Sequence, residues 1–273
     1  MKNIRTLCLT TLLVAATIVS CQKLEEMNNN PNQITLGETA PSSLLQNLLY
    51  DGNWTLQYRS WRINGDLMQY AMQSDGLEKI SCFVLKASDS EMLWRNLSGS
   101  CMNAVHMAQL AVAQDDPNSQ AIAITLKAFY VSAMTDIFGD MPYSEAFRIV
   151  GDNITHPKYD EQKDIYASLC DELKTADGLY DTSVTYDGAS YDLLYNGDLK
   201  KWRKFTNALR LRLLLRQSRQ IDVSAAMQEV VSGGSLFENN ADGAILRFTG
   251  IVPFFNGFGP SGSLTAPAAS QNK

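Results

Sequence analysis

Five stretches of this chain, residues 42–58, 89–113, 117–137, 160–179 and 198–220, repeat apolar side chains at intervals of three and four. That is the period of one buried face on an α-helix, and it is sustained over lengths no ordinary strand reaches. In the first stretch the face is Leu44, Leu45, Leu48 and Leu49; in the second it is Leu93, Leu97, Cys101, Val105 and Ala108. Asp116-Pro117 is a start signal, an N-cap carboxylate followed by proline at the first helical position. The helix it opens is rich in alanine (Ala121, Ala123, Ala128, Ala133), which lets a neighbouring helix approach closely. Only Ala244–Phe248 reads as extended. Helices of about twenty residues joined by short turns predict a predominantly all-α chain organised as an array of helical hairpins.

The first twenty-one residues, MKNIRTLCLTTLLVAATIVSC, place Lys2 and Arg5 before an uncharged apolar run from Leu7 to Val19. The run is too short to span a bilayer and has the layout of a secretory signal. Its end, Ile-Val-Ser-Cys, is the pattern of a bacterial lipobox, in which the Cys21 thiol is acylated and becomes the new N-terminus. Acyl chains would anchor the protein without a transmembrane helix, and no later segment reads as membrane-spanning. The expected organisation is a lipoprotein signal over 1–20, a lipidated polar tether over 21–40 (Asn-rich, with Pro31) and a helical domain over 41–250. Residues 251–273, of loop composition, would be the end of an incomplete domain.

Charge and scarce chemistry narrow the functions. Loss of residues 1–20 takes the 23 basic residues to 21 against 29 acids, a balance that disfavours phosphate backbones and hence nucleic acid. Besides Cys21, the mature chain keeps Cys82, Cys101 and Cys170, with no short metal-ligand spacing, and these read as buried thiols. Two histidines, His106 and His156, sit beside no nucleophile motif, so His-based covalent catalysis has no support. The loop from Asp187 to Asp198 offers oxygen atoms but lacks the spacing of a calcium loop, and no metal or cofactor is assigned.

Residues 50–66 carry the candidate ligand site. Tyr50, Trp54, Tyr58 and Trp61 follow at spacings of four, four and three, which puts the rings along one face of an unbroken helix. Flat rings suit sugars because a pyranose has an apolar C–H face, while Arg59, Arg62, Asn64 and Asp66 are close enough in sequence to bond its hydroxyls. The bland alternative is that an aromatic stripe at helical spacing is core. Asp51-Gly52-Asn53 also favours a turn and weakens the single-helix assumption. The basic segment 198–220 has two readings as well: a membrane-surface helix, or Trp202, Phe205, Leu209 and Leu213 packed inward with basic residues meeting water or acids.

Three blocks occur in one order: DIFGDMPYSEA (136–146), PKYDEQKDIY (157–166) and KWRKFTNALRLR (201–212). With the lipobox they resemble the SusD/RagB family of Bacteroidetes outer-membrane lipoproteins, in its SusD-like nutrient-binding branch, over essentially the whole chain. The resemblance implies a SusD-like fold with tetratricopeptide-like helix pairs. It also implies a cell-surface position at the outer membrane, reinforced by QKLEE after Cys21, which is similar to a surface-export signal. A further implication is a partnership with a SusC-like TonB-dependent transporter, for which the protein would capture an oligosaccharide or other nutrient. Family members are considerably longer, so a C-terminal half that often contributes ligand contacts would be missing. The site residues this reading names are Trp54, Tyr58, Trp61, Arg62, Asn64 and Asp66, with Cys21 for lipid attachment; none of the six is carried over from the family.

Two other functions compete. One is a protein-interaction scaffold of the transporter complex without its own ligand site. The other is a glycoside hydrolase, which needs two carboxyl groups roughly 5–9.5 Å apart. Asp136 and Asp140, four apart on a helix, would lie about 5–6 Å from one another at Cβ. Against this, TDIFGDMPYSEAF reads as a corner. Ile137 and Phe138 would point into the core, Gly139 would take the left-handed conformation, and Pro142 would block helix continuation. Asp140 and Ser144 would accept bonds from the turn's own N–H groups, and Asp136 would pair locally. No enzyme activity is expected.

Overall fold

The computed structural model describes residues 39–70, 80–147 and 153–248, apart from the side chains of Arg62 and Ser81. Cys21, nearly all of the tether and residues 251–273 lie outside the described residues.

From Ala40 onward the chain is a stack of helices in sequence order. A 3₁₀ turn, Pro41–Leu44, leads into α1 (Leu45–Arg59), which widens into a π-helical stretch, Ser60–Asn64, before a last turn at Gly65–Leu67. Then come α2 (Ala87–Ala113), α3 (Pro117–Phe138), β1 (Met141–Pro142), β2 (Tyr159–Asp160), α4 (Gln162–Leu179), α5 (Leu199–Gln217) and α6 (Ser224–Ser232). Each helix packs on the next, and α3 also touches α1 and α5. Helix α3 is long and apolar enough to cross a membrane by composition, contrary to the reading of the sequence, yet here it is the mostly buried centre of the stack. Ala121, Ile122, Ala123, Ala128 and Met134 are fully buried, so its small residues serve close packing with helices on more than one side.

Polar groups inside this core are matched. Thr125 Oγ1 donates to the carbonyl of Ala121 at 2.8 Å, lies 2.7 Å from Thr206 Oγ1 of α5 and 3.3 Å from the Tyr180 hydroxyl after α4. The cluster ties three elements at buried positions, where unmatched hydroxyls would each cost about 1–3 kcal/mol.

The Asp51-Gly52-Asn53 trio makes no turn; α1 runs straight through it. Gly52 is there for packing. A Cβ on it would lie 2.3 Å from Cζ of Tyr130, so only a bare backbone lets the α3 ring lie against α1. The Tyr130 hydroxyl donates to the carbonyl of Leu48 at 2.7 Å, and Asn53 Nδ2 donates to the carbonyl of Leu49 at 2.8 Å and the Tyr130 hydroxyl at 3.3 Å.

Asp116 caps α3 as the sequence predicts, accepting from the Ser119 N–H at 3.0 Å with Pro117 inside the first turn. The helix ends at Gly139, with φ 73° and ψ −131°. This is the mirror image of extended backbone rather than the expected left-handed helical conformation, and it turns the chain outward sharply. The described strands are two residues each, antiparallel, with Met141 opposite Asp160 and Pro142 opposite Tyr159. Ala244–Phe248 pairs with neither.

Candidate functional site

The aromatic stripe lies on α1 and the turns beyond it. Trp54 and Tyr58, one helical turn apart, stack with ring centroids 4.9 Å apart and planes 7° off parallel. Rings stacked this way occupy one face of each with the other, leaving outward faces and edges rather than a two-ring floor. The Arg59 guanidinium lies 5.7 Å from the Tyr58 ring centre and its Nη2 reaches Met92 Sδ on α2, while Nε is buried without a hydrogen-bond partner. Tyr50, one turn earlier, meets Phe248 edge-on at 5.7 Å, so that end of the stripe is covered by the chain's own later segment.

Trp61 falls in the π-helical stretch. The wider turn shifts the side chains that follow around the helix axis. Trp61 is the most exposed of the four tryptophans, at 36%. Asn64 is exposed and donates to Ser60 Oγ at 3.2 Å. Asp66 is buried, which withdraws it from the solvent-facing role the sequence suggested. The structure therefore brings Trp54 and Tyr58 into contact, leaves Trp61 and Asn64 toward solvent and turns Asp66 inward. The backbone of Arg62 lies in the same stretch.

The carboxylates of the corner are engaged in structure. Asp136 Oδ2 lies 2.7 Å from Arg216 Nη2 of α5, and Asp136 Oδ1 accepts from the Tyr166 hydroxyl of α4. Burial, then the bond to Asp136 and its charge, pushes the Tyr166 hydroxyl up to about 12, so it remains a donor at neutral pH. Asp140 Oδ1 accepts the first N–H of α4, that of Gln162, at 2.8 Å. In return Asp160 accepts the N–H groups of Tyr143 and Ser144 at 3.1 and 2.7 Å and the Ser144 hydroxyl at 2.9 Å. Glu145 accepts the Lys158 N–H at 3.0 Å.

The two sequence blocks thus clamp each other, and the partners are distant in sequence rather than in the same turn. Ser144 donates where an acceptor was expected. Ile137 is 54% exposed rather than core, whereas Phe138 packs edge-on against Trp94 at 5.1 Å.

The third block is turned to acids of its own chain. Trp202, Leu209 and Leu213 are buried. Arg203 makes a two-pronged bond to Asp177 at 2.7 and 3.2 Å, Lys204 lies 3.0 Å from both Asp242 and Glu238, and Arg210 meets Glu229 at 3.2 Å. With Arg216 on Asp136, four basic residues of this segment meet acids of the chain itself, which favours the inward-packed reading, while Lys200, Arg212 and Arg219 remain exposed. Asp192, unnoticed in the sequence, accepts from the N–H groups of Leu194, Tyr195 and Gly197 and from the Trp202 indole at 2.8–3.1 Å. It closes the loop before α5 with its lone pairs occupied by N–H donors. Among the described residues no group of three or more His, Cys, Asp or Glu is arranged to hold a metal ion. Cys101 and Cys170 are buried, but Cys82 is exposed, against expectation.

The described residues thus form a helical-hairpin array of tetratricopeptide-like type, stitched by the three blocks and carrying an aromatic pair near one end. Residues 31–261 match the SusD-like family described as "Starch-binding associating with outer membrane", and the chain belongs to that family. A solved chitin-binding protein shares 32% identity and superposes with a TM-score of 0.59, over 75% of this chain and 45% of that one. A SusD homologue from Bacteroides uniformis shares 25% identity with a TM-score of 0.62, over 82% and 47%. One from Parabacteroides distasonis, at 23% identity and a TM-score of 0.64 over 76% and 41%, bears on the fold alone. The chain spans less than half the length of each of these structures. No curated protein matches it.

Proposed function

We propose that this protein captures an oligosaccharide at the cell surface without turning it over and presents it to a SusC-like TonB-dependent outer-membrane transporter. Residues 1–20 act as the signal, Cys21 carries the lipid, 21–40 form the tether and 41–250 the binding body. The observation that carries the reading is the stacked Trp54–Tyr58 pair, followed by solvent-reaching Trp61, in a chain whose family is described as starch-binding. A relative at 32% identity that is a chitin-binding protein supports a carbohydrate ligand. The engagement of Asp136 and Asp140 with Arg216, Tyr166 and the α4 backbone argues against their use as a hydrolytic pair.

Calorimetric titration of the protein with malto-, cello- and chito-oligosaccharides tests capture. Binding that Trp61→Ala abolishes while thermal unfolding is unchanged supports the site, and release of shorter sugars would overturn the non-enzymatic reading. Co-purification with an outer-membrane barrel tests the partnership. If a barrel co-purifies but no sugar binds, the protein is an interaction scaffold.

A further inference from the structure

Arg59, the last residue of α1, is charged, half-buried and left without an acid. The other arginines whose side chains are described either meet a carboxylate, as Arg203, Arg210 and Arg216 do, or are exposed to water. Arg59 does neither. Its one hydrogen bond among the described residues runs from Nη2 to the Met92 thioether at 2.7 Å, and a thioether is a weak acceptor. Its Nε is buried with no acceptor, and Nη1 makes no bond within the described fold. A guanidinium keeps its charge at every pH the protein meets, so partial burial without a counter-ion is costly.

The group is held in place all the same. One turn before Arg59 on α1 lies Thr55, and one turn after Met92 on α2 lies Asn96, whose Nδ2 donates to Thr55 Oγ1 at 3.2 Å. That bond fixes the two helices side by side just where the Arg59–Met92 contact crosses between them. The guanidinium carbon also lies 5.7 Å from the centre of the Tyr58 ring, which stacks on Trp54. A fixed cation beside a ring pair, with one edge unused, is prepared for a partner that the chain itself does not supply.

We infer that Arg59 is the anion-recognition residue of the capture site, and that the sugars taken beside the Trp54–Tyr58 pair carry a carboxylate or sulfate group. The inference rests on the capture reading and names the charge class of that site's ligand. The anion meets the guanidinium at Nη1. Because the charge is delocalised, neutralising it there also eases the orphaned Nε. A sugar hydroxyl accepts from Nη1 as well, yet it leaves the charge uncompensated; an anion supplies what the fold omits.

Calorimetric titration of the whole chain with two matched pairs tests this: hexagalacturonate against its full methyl ester, and sulfated against plain cellohexaose. The salt concentration is set to screen the long-range repulsion from a net charge of −6. The acidic member of at least one pair is expected to bind about tenfold more tightly than its neutral counterpart, the scale of one charge-assisted hydrogen bond. A margin in the galacturonate pair alone assigns a carboxylate, and one in the cellohexaose pair alone a sulfate. Arg59→Met, which removes the charge and keeps most of the stem, should erase the margin while neutral affinity and the unfolding midpoint stay unchanged. Arg59→Lys should restore part of it. Equal binding of acidic and neutral members, or a margin that survives Arg59→Met, overturns the inference and leaves capture standing. So does an equal loss of both affinities with a lower unfolding midpoint, which makes Arg59 a strut between α1 and α2. Binding of no sugar overturns both readings. The comparison on the parent chain decides even where Arg59→Met does not fold.

Discussion

Replacing Gly52 by alanine sets two effects of known size against each other. In an exposed helix the change would stabilise by about 0.5–1 kcal/mol, because glycine loses more backbone freedom on folding. Here the new Cβ would sit 2.3 Å from Cζ, 2.4 Å from Cε1 and 2.6 Å from the hydroxyl oxygen of Tyr130. The Tyr130 ring is fully buried and its hydroxyl is fastened to the Leu48 carbonyl at 2.7 Å, so it cannot swing into solvent. Overpacking of this kind costs about 1–3 kcal/mol, and tearing the hydroxyl from its acceptor another 1–3 kcal/mol. Both outweigh the helix gain, and a net loss of about 3 kcal/mol is expected. Urea unfolding followed by far-ultraviolet circular dichroism reads it as a lower midpoint with an unchanged slope. In the background Tyr130→Leu, which removes the far edge of the ring, Gly52→Ala should cost much less. A Gly52→Ala protein as stable as the parent would refute the packing argument and return Asp51-Gly52-Asn53 to its reading as a turn.

The other predictions concern the clamp, the acids and the rings. Asp140→Ala leaves the first N–H of α4 without its carboxylate and should cost about 0.5–2 kcal/mol in urea unfolding, while sugar affinity of the folded fraction is unchanged. At Asp177, burial pushes the carboxyl upward, but the bonds from Arg203 and Asn207 outweigh it and hold the carboxyl below the usual range. Its contribution is therefore complete above the unfolded value near 3.9 and is lost as pH falls through the lower folded one. Asp177→Asn should flatten that part of the acid limb below pH 4 and leave the neutral plateau without slope. Trp61→Ala should reduce sugar affinity more than it reduces stability, whereas Trp54→Ala, which breaks the stack with Tyr58, should lower both in the same titration and melting experiments.

The helices were legible because their apolar period is local. The stretches at 89–113 and 160–179 become α2 (Ala87–Ala113) and α4 (Gln162–Leu179) with small shifts at their ends. What periodicity could not carry was the identity of each neighbour. Gly52 reads as a turn former until the Tyr130 ring is seen against it, and nothing within several residues of Gly52 announces a tyrosine 78 positions away. Ile137 has the spacing of a core residue of α3, yet its neighbours Asp136 and Phe138 take the contacts with α4, α5 and α2, and the Ile137 side chain is left exposed. At the candidate site the sequence supplied Trp54, Tyr58 and Trp61 but not their mutual angle, because a π-helical stretch leaves no local composition signal. Asp66 illustrates the same limit from the polar side. A carboxylate near aromatics suggests sugar bonding in sequence, and only burial reveals that it faces inward.

The corner explains why the family's most recognisable segment is not its site of chemistry. Asp140 supplies the cap of α4, Asp160 holds the corner's own N–H groups, and Asp136 joins Arg216 and Tyr166 from two further helices. The bonds of Asp140, Asp160 and Asp136–Tyr166 cross between the first two sequence blocks, and Arg216 lies just beyond the third, so changing one side without its counterpart strands a donor or an acceptor, at about 1–3 kcal/mol where the group is buried. The blocks must therefore change together or remain fixed. The rings on α1 and the apolar residues after Trp61 take no part in the clamp bonds just named. They can vary to suit a ligand while the clamp holds the stack, and that freedom is what a capture protein needs from its scaffold. Exchanging residues 60–70 and 80–85 together for those of another member of the family should therefore change sugar preference while the urea midpoint moves little. A large loss of stability on that exchange would mean the patch is part of the scaffold after all.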